Sequence, residues 1–128
     1  MKRILSILIY LMISCPVLLH AQSKSGDDEA QDDLQVFIPN AFTPNGDRFN
    51  EFWKPVISGA ELAFYELQVV DRHGQEVFYT KDPNLAWNGQ IRGSGYSTST
   101  SMYLYYLRVR PVGKPDNREY RGYIVLIR

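Results

Sequence analysis

The sequence predicts an all-β fold: a small antiparallel immunoglobulin-like β-sandwich of about six to seven strands, spanning residues 36–128. Three observations predict it. The chain of 128 residues carries nine Tyr, six Phe and two Trp, and aromatic side chains fit pleated, half-buried surfaces better than helices. From Val36 onward no stretch sustains a 3.6-residue apolar period, while several alternate at period two. Turn residues punctuate these runs at roughly ten-residue intervals, the rhythm of a sandwich. The Cys…Trp…Cys signature of antibody domains is absent, so "immunoglobulin-like" here describes architecture alone.

Each element follows from local chemistry. Val36-Phe37-Ile38 is a first strand, closed by Pro39. Tyr65, Leu67 and Val69 alternate with Glu66 and Gln68, which marks a half-buried strand. Asp71-Arg72-His73-Gly74 is a tight turn in which Gly74 is free to take positive φ, and Glu76 to Tyr79 returns as the second arm of a hairpin. Tyr103, Tyr105, Leu107 and Val109 form an apolar face opposite a mixed face of Leu104, Tyr106, Arg108 and Arg110. Pro111 ends that strand, and residues 113–117 connect it to the last one. There the run Tyr123-Ile124-Val125-Leu126-Ile127 is nearly continuous in apolar residues and predicts burial on both faces.

The first 35 residues read differently. Lys2 and Arg3 precede an apolar run from Ile4 to Ile13, and Leu19-His20-Ala21 offers a small-residue cleavage site. Residues 1–21 are therefore expected to be a secretory signal peptide; the apolar run is short for a membrane span and is broken by Pro16. Lipidation at Cys15 is a lesser alternative, because Met12 stands where a lipobox normally has Leu. Cleavage removes two basic residues, no acid and the only cysteine, leaving a mildly acidic, disulfide-free chain that must be held by its hydrophobic core. Residues 22–35, with five acids and no aromatic residue, are expected to be a disordered linker.

The densest motif is Ile38-Pro39-Asn40-Ala41-Phe42-Thr43-Pro44-Asn45-Gly46-Asp47-Arg48-Phe49-Asn50-Glu51-Phe52. It resembles the opening of the gliding-motility-associated C-terminal domain, the type B sorting domain of cargo of the Bacteroidetes type IX secretion system. The resemblance continues in order through Val70-Asp71-Arg72-His73-Gly74-Gln75-Glu76-Val77-Phe78, Trp87-Asn88-Gly89, Tyr103-Leu104-Tyr105 and Gly122-Tyr123-Ile124-Val125-Leu126-Ile127-Arg128. Arg48 and His73 depart from the family pattern, which has glycine and tryptophan there, and Glu51 stands in place of an aspartate. The resemblance implies a non-enzymatic secreted or cell-surface protein. It would be exported through the inner membrane by the Sec translocon and recognised by the type IX outer-membrane translocon or a PorP/SprF-like outer-membrane protein. Asn45, Gly46, Asp47, Ile124, Leu126 and Arg128 are the candidate recognition residues, chosen for motif density. Phe42, Phe52, Phe78, Trp87, Tyr103 and Tyr105 occupy motif positions and are expected in the core.

Other chemistries are weighed on the residues alone. Side chains of Asn45, Asp47, Asn50 and Glu51, with the Phe49 carbonyl, resemble the start of a Ca2+ loop. Asn-Gly-Asp is equally ordinary turn chemistry, its oxygens bonding local backbone amides. After cleavage only His73 remains among the histidines, and no cysteine, which excludes a His-containing nucleophilic triad and a multi-His zinc site in a single mature chain. Glu66 and Glu76 are placed to face each other across the hairpin, but nothing else suggests a catalytic dyad. No catalytic residue is expected. A zero formal net charge argues against nucleic acid. A different class of function is a small carbohydrate-binding or adhesive module, with Trp53, Tyr96 and Tyr106 as surface rings for a glycan.

Overall fold

The computed structural model describes residues 34–92 and 95–128. The expected signal peptide, most of the acidic linker and Gly93-Ser94 lie outside the described residues. The described chain is all-β with nine strands: β1 (Gln35–Phe37), β2 (Ala41–Phe42), β3 (Val56–Ser58), β4 (Leu62–Val70), β5 (Glu76–Thr80), β6 (Gln90–Ile91), β7 (Gly95–Tyr96), β8 (Ser101–Pro111) and β9 (Arg118–Leu126). The extra strands beyond the expected six or seven are pieces of two or three residues, too short to leave an alternating pattern in the sequence.

Five strands form the central sheet in the order β2-β9-β8-β4-β5. All its pairings are antiparallel except β2 with β9, where Ala41 lies opposite Val125 and Phe42 opposite Leu126 in parallel. Two small sheets, β1-β3 and β6-β7, complete the described architecture. The core lies under the inner face of the central sheet, where Leu67, Val69, Leu107, Val109, Ile124 and Leu126 are fully buried, and Val36, Ile38, Ile57 and Ile91 pack against that cluster. Alternation along β4 and β8 is as the sequence predicts, with one face buried and the other wet.

The β4-β5 turn is built as its residues dictate. Gly74 takes φ +79° and its amide donates to the Asp71 carbonyl at 3.0 Å, while Asp71 Oδ1 accepts the His73 and Gln75 amides at 2.8 and 2.9 Å. The register shifts between Val69 and Val70, a bulge that increases local twist. It leaves Glu76 opposite Val70, with its carboxylate bonded to Gln68 and Arg92, whereas Glu66 bonds Tyr79 and Arg108. The two glutamates do not face each other.

Three further expectations are corrected. The last strand is not buried on both faces: it alternates, with Tyr123 61% exposed between half-buried Gly122 and buried Ile124, because only one face of the central sheet is covered by described residues. Trp53 is no surface ring; it is 1% exposed. Its neighbour Phe52, expected in the core, is 66% exposed. Adjacent residues in extended chain point to opposite sides, so Trp53 inside puts Phe52 outside.

The two tryptophans close the sandwich. Trp53 and Trp87 form an isolated antiparallel bridge and exchange both backbone hydrogen bonds at 2.8 Å. Each indole N–H is satisfied, Trp53 by the Pro39 carbonyl at 2.7 Å and Trp87 by the Gln90 carbonyl at 2.9 Å. Trp87 stands edge-on to Tyr103 at 4.8 Å and tilts against Phe42 at 5.2 Å, while Trp53 lies 5.7 Å from Tyr105. Such ring pairs contribute about 0.5–1.5 kcal/mol each beyond burial.

Tyr65 is the exception to polar satisfaction. It is buried, its hydroxyl has no hydrogen-bond partner among the described residues, and burial, with Asp82 nearby, pushes its ionisation upward. A desolvated, unpaired hydroxyl costs free energy that a phenyl ring avoids. Tyr65→Phe is expected to raise stability by up to about 1 kcal/mol, read as a higher midpoint in urea at unchanged slope.

Candidate functional site

The opening motif and the closing motif meet at one end of the sandwich. Residues 43–51 form a compact loop between β2 and Trp53 that is tied by its own side chains. The Thr43 amide donates to the Asn50 carbonyl at 2.8 Å. Asn45 Oδ1 accepts the Asp47 amide at 3.0 Å, Asp47 Oδ1 accepts the Phe49 amide at 2.8 Å, and Glu51 Oε1 accepts the Arg48 amide at 3.1 Å. Asn45 Nδ2 also donates to Asp47 Oδ2 at 3.0 Å. The Phe49 amide first, then the Asn45 side chain, hold the Asp47 carboxyl below its usual value. Gly46, Arg48 and Asn50 all take positive φ, at 85°, 74° and 52°. Asn tolerates this region; Arg does not do so freely. Arg48 is the position at which the sequence resemblance has glycine.

The expected calcium ligands are thus distributed among specific tasks. Asn45, Asp47 and Glu51 direct side-chain oxygens at backbone amides, and the Phe49 carbonyl accepts the Thr43 hydroxyl at 3.3 Å. Asn50 supplies its carbonyl to Thr43. Among the described residues no group of three or more His, Cys, Asp or Glu is gathered as a metal-holding set.

The end of β9 is fastened beside this loop. The Val125 amide donates to the Asn40 carbonyl at 2.8 Å and the Ile127 amide to the Phe42 carbonyl at 3.0 Å. Arg128 then reaches across: its guanidinium bonds the Pro44 carbonyl and, at 2.7 Å, the Ser97 carbonyl, and it lies 6.0 Å over the Tyr96 ring. Its amide bonds the Thr100 hydroxyl at 3.2 Å. Beneath it, Gly89 takes φ +81°, and a Cβ there would fall 2.8 Å from the Leu126 side chain and 3.2 Å from Pro44. Only glycine lets the Trp87-Asn88-Gly89 segment approach that closely.

An open groove of about 610 Å3 results, lined by Asn45, Gly46, Glu51, Phe52, Tyr96 and Arg128 among others. Of the candidate recognition residues, Asn45, Gly46 and Arg128 meet here, and Asp47 belongs to the same loop. Ile124 and Leu126 do not present themselves: both are fully buried, so they hold β9 in place and offer no side-chain surface to a partner. Sequence reasoning missed the exposed aromatic contribution of Phe49 and Phe52, which are 74% and 66% exposed. For Phe49 a signal lay in the motif, in its place between the left-handed Arg48 and Asn50 of the loop; for Phe52 none did, because the Trp53–Trp87 bridge sets which ring turns inward.

Comparison with known proteins adds one finding. The family profile CHU_C, type IX secretion signal domain, matches residues 36–126. No curated protein and no solved structure matches the chain.

Two outcomes follow from the loop geometry. Arg48→Gly is expected to raise stability by about 1 kcal/mol by relieving left-handed backbone strain, measured by thermal unfolding. The lowered pKa of Asp47 means that the unfolded chain binds its proton more readily. Its contribution is therefore fully present above the ordinary carboxylate value and is lost as pH falls through the depressed folded value. Asp47→Ala is expected to lower the melting temperature at neutral pH and to converge on the parent in strong acid. The loss is expected to be equal in calcium and in chelator if the carboxylate works through backbone amides; a shift on adding calcium to the parent would identify a metal loop instead.

Proposed function

This chain belongs to the CHU_C type IX secretion signal domain family, and we propose from that membership that the folded domain is a delivery label read at the end of the sandwich where residues 43–52 meet Arg128. The family assigns a sorting-signal role and an encounter with the type IX machinery. The finer reading is ours. After Sec-dependent export on the signal peptide of residues 1–21, the sandwich folds and the groove docks on the outer-membrane translocon or a PorP/SprF-like partner, which delivers the protein to the cell surface or beyond. No chemistry is performed on the way, and the domain acts as a non-enzymatic binding element.

The observation that carries this reading is the Arg128 clamp. It bonds the opening segment through Pro44 and the 95–101 segment through Ser97, and so joins residues more than eighty positions apart into one surface. A label read as a linear peptide has no use for that joining. A folded epitope requires it. Phe52 supplies an exposed ring in the groove with Arg128, and Phe49 a second exposed ring on the adjoining loop, the kind of anchor that dominates protein interfaces when a partner desolvates it. Burial of Ile124 and Leu126 assigns them a supporting part in the same reading: they seat the strand from which Arg128 projects.

The test is delivery of a fluorescent reporter inserted between residues 21 and 36, in strains with and without the type IX system. Surface fluorescence is expected only where the system is present. Phe52→Ala, which alters an exposed ring, is expected to reduce delivery several-fold without changing the melting temperature, and Arg128→Ala to reduce it further. Equal surface delivery in both strains, or full delivery of Phe52→Ala and Arg128→Ala together, overturns the proposal.

A further inference from the structure

The outer face of the central sheet carries a second groove, of about 550 Å3, that the delivery reading leaves unused. Cross-strand partners share a face of a sheet. The register therefore lays two rows of side chains across the strands here. One runs Tyr79, Gln68, Tyr106, Arg121 from β5 to β9, and the other runs Glu66, Arg108, Glu119 from β4 to β9. These side chains line the groove, and Tyr79 and Tyr106 are 40% and 44% exposed.

We propose that this face binds a neutral oligosaccharide lying across the strands. Three features point to that class. Tyr79 and Tyr106 sit two strands apart, about 10 Å at the usual spacing of roughly 4.8 Å per strand, with Gln68 between them, its amide nitrogen already donating to the Glu76 carboxylate at 3.0 Å. Two flat rings flanking a hydrogen-bonding amide suit an extended sugar chain, whose apolar ring faces stack on aromatics while its hydroxyls seek fixed donors and acceptors. The charges of the lining side chains balance, Glu66 and Glu119 against Arg108 and Arg121, so the lining offers many polar groups without a single-sign cluster to select an anion or a cation. The central groups are also held before any ligand arrives. Glu66 accepts the Tyr79 hydroxyl at 2.8 Å and pairs with the Arg108 guanidinium, which lies 5.9 Å over the Phe64 ring. These bonds hold the Glu66 carboxyl below its usual value, the Tyr79 hydroxyl being the larger cause and Arg108 the next. Groups already in place cost less ordering entropy when a ligand binds.

This site is distinct from the delivery groove, which gathers Arg128, Tyr96 and the opening loop, and its half-exposed Tyr79 and Tyr106 offer the rings that buried Trp53 does not. Its test is binding of the full chain to an array of neutral and acidic oligosaccharides, followed by calorimetric titration of the strongest binder. The expected result is capture by at least one neutral oligosaccharide, with Tyr106→Ala weakening affinity at least tenfold and Arg121→Ala weakening it measurably, at unchanged melting temperature. Tyr96→Ala, in the other groove, is expected to bind as the parent does, and Tyr106→Ala is expected to be delivered normally in the reporter assay. The proposal is overturned if no neutral oligosaccharide binds, if only acidic ones do, or if Tyr106→Ala and Gln68→Ala both bind as tightly as the parent.

Discussion

The backbone exchange between Trp53 and Trp87 is the constraint on which the rest of the described structure depends. Neither residue lies in a strand of any length, yet the two amides and two carbonyls pair at 2.8 Å and both indoles are buried with their N–H groups satisfied. Large rings with no unmet polar group bring as much apolar area into a small core as any side chain can, at about 25 cal/mol per Å2. Two irregular segments are thereby pinned against the central sheet. One is the loop that ends at Trp53; the other is the segment that runs on through Asn88 and Gly89 under the end of β9.

From that pin the far end of the sandwich is assembled by close approach. Gly89 has its backbone where any Cβ would strike Leu126 and Pro44. A second glycine works the same way in the sheet itself: Gly122 lies opposite Tyr105, whose ring covers it so tightly that a Cβ would meet the hydroxyl at 2.8 Å and ring carbons at 3.0 Å. Tyr105 in turn packs on Trp53. Packing runs continuously from the terminal strand through Tyr105 to the tryptophan bridge, and the Arg128 clamp is its outer end. The two grooves inherit different characters from this arrangement. One is irregular and lined by loop residues; the other follows the regular rows of a sheet face.

Much of the fold was legible because alternation is a one-dimensional record of a two-sided sheet. In β4 and β8 the buried and wet residues fall where the period of two places them, and the Asp71–Gly74 turn shows its geometry in its composition. The last strand departs from its sequence pattern for a physical reason. A run such as Tyr123 to Ile127 is equally consistent with two covered faces and with an apolar residue left in water, and only the layer above decides. Phe52 and Trp53 exchange their expected places because adjacent rings carry no parity of their own; the bridge to Trp87 sets it. Likewise the oxygens of Asn45, Asp47 and Glu51 fit ion or amide equally well as a string of letters, and here they are directed at amides of their own loop.

Local sequence suffices for an all-β chain, its principal hairpin, the inward and outward faces of β4 and β8, and the ordered motifs that mark its family. Those are properties of neighbours along the chain, where sterics, turn chemistry and side-chain period act over a few residues. The tertiary structure alone decided the parallel pairing of β2 with β9, the joining of Pro44, Ser97 and Arg128 into one surface, and the alignment of Tyr79, Gln68, Tyr106 and Arg121 across four strands. Each depends on register between segments far apart in sequence, which is set by how the tryptophans and their rings fill the space between the layers.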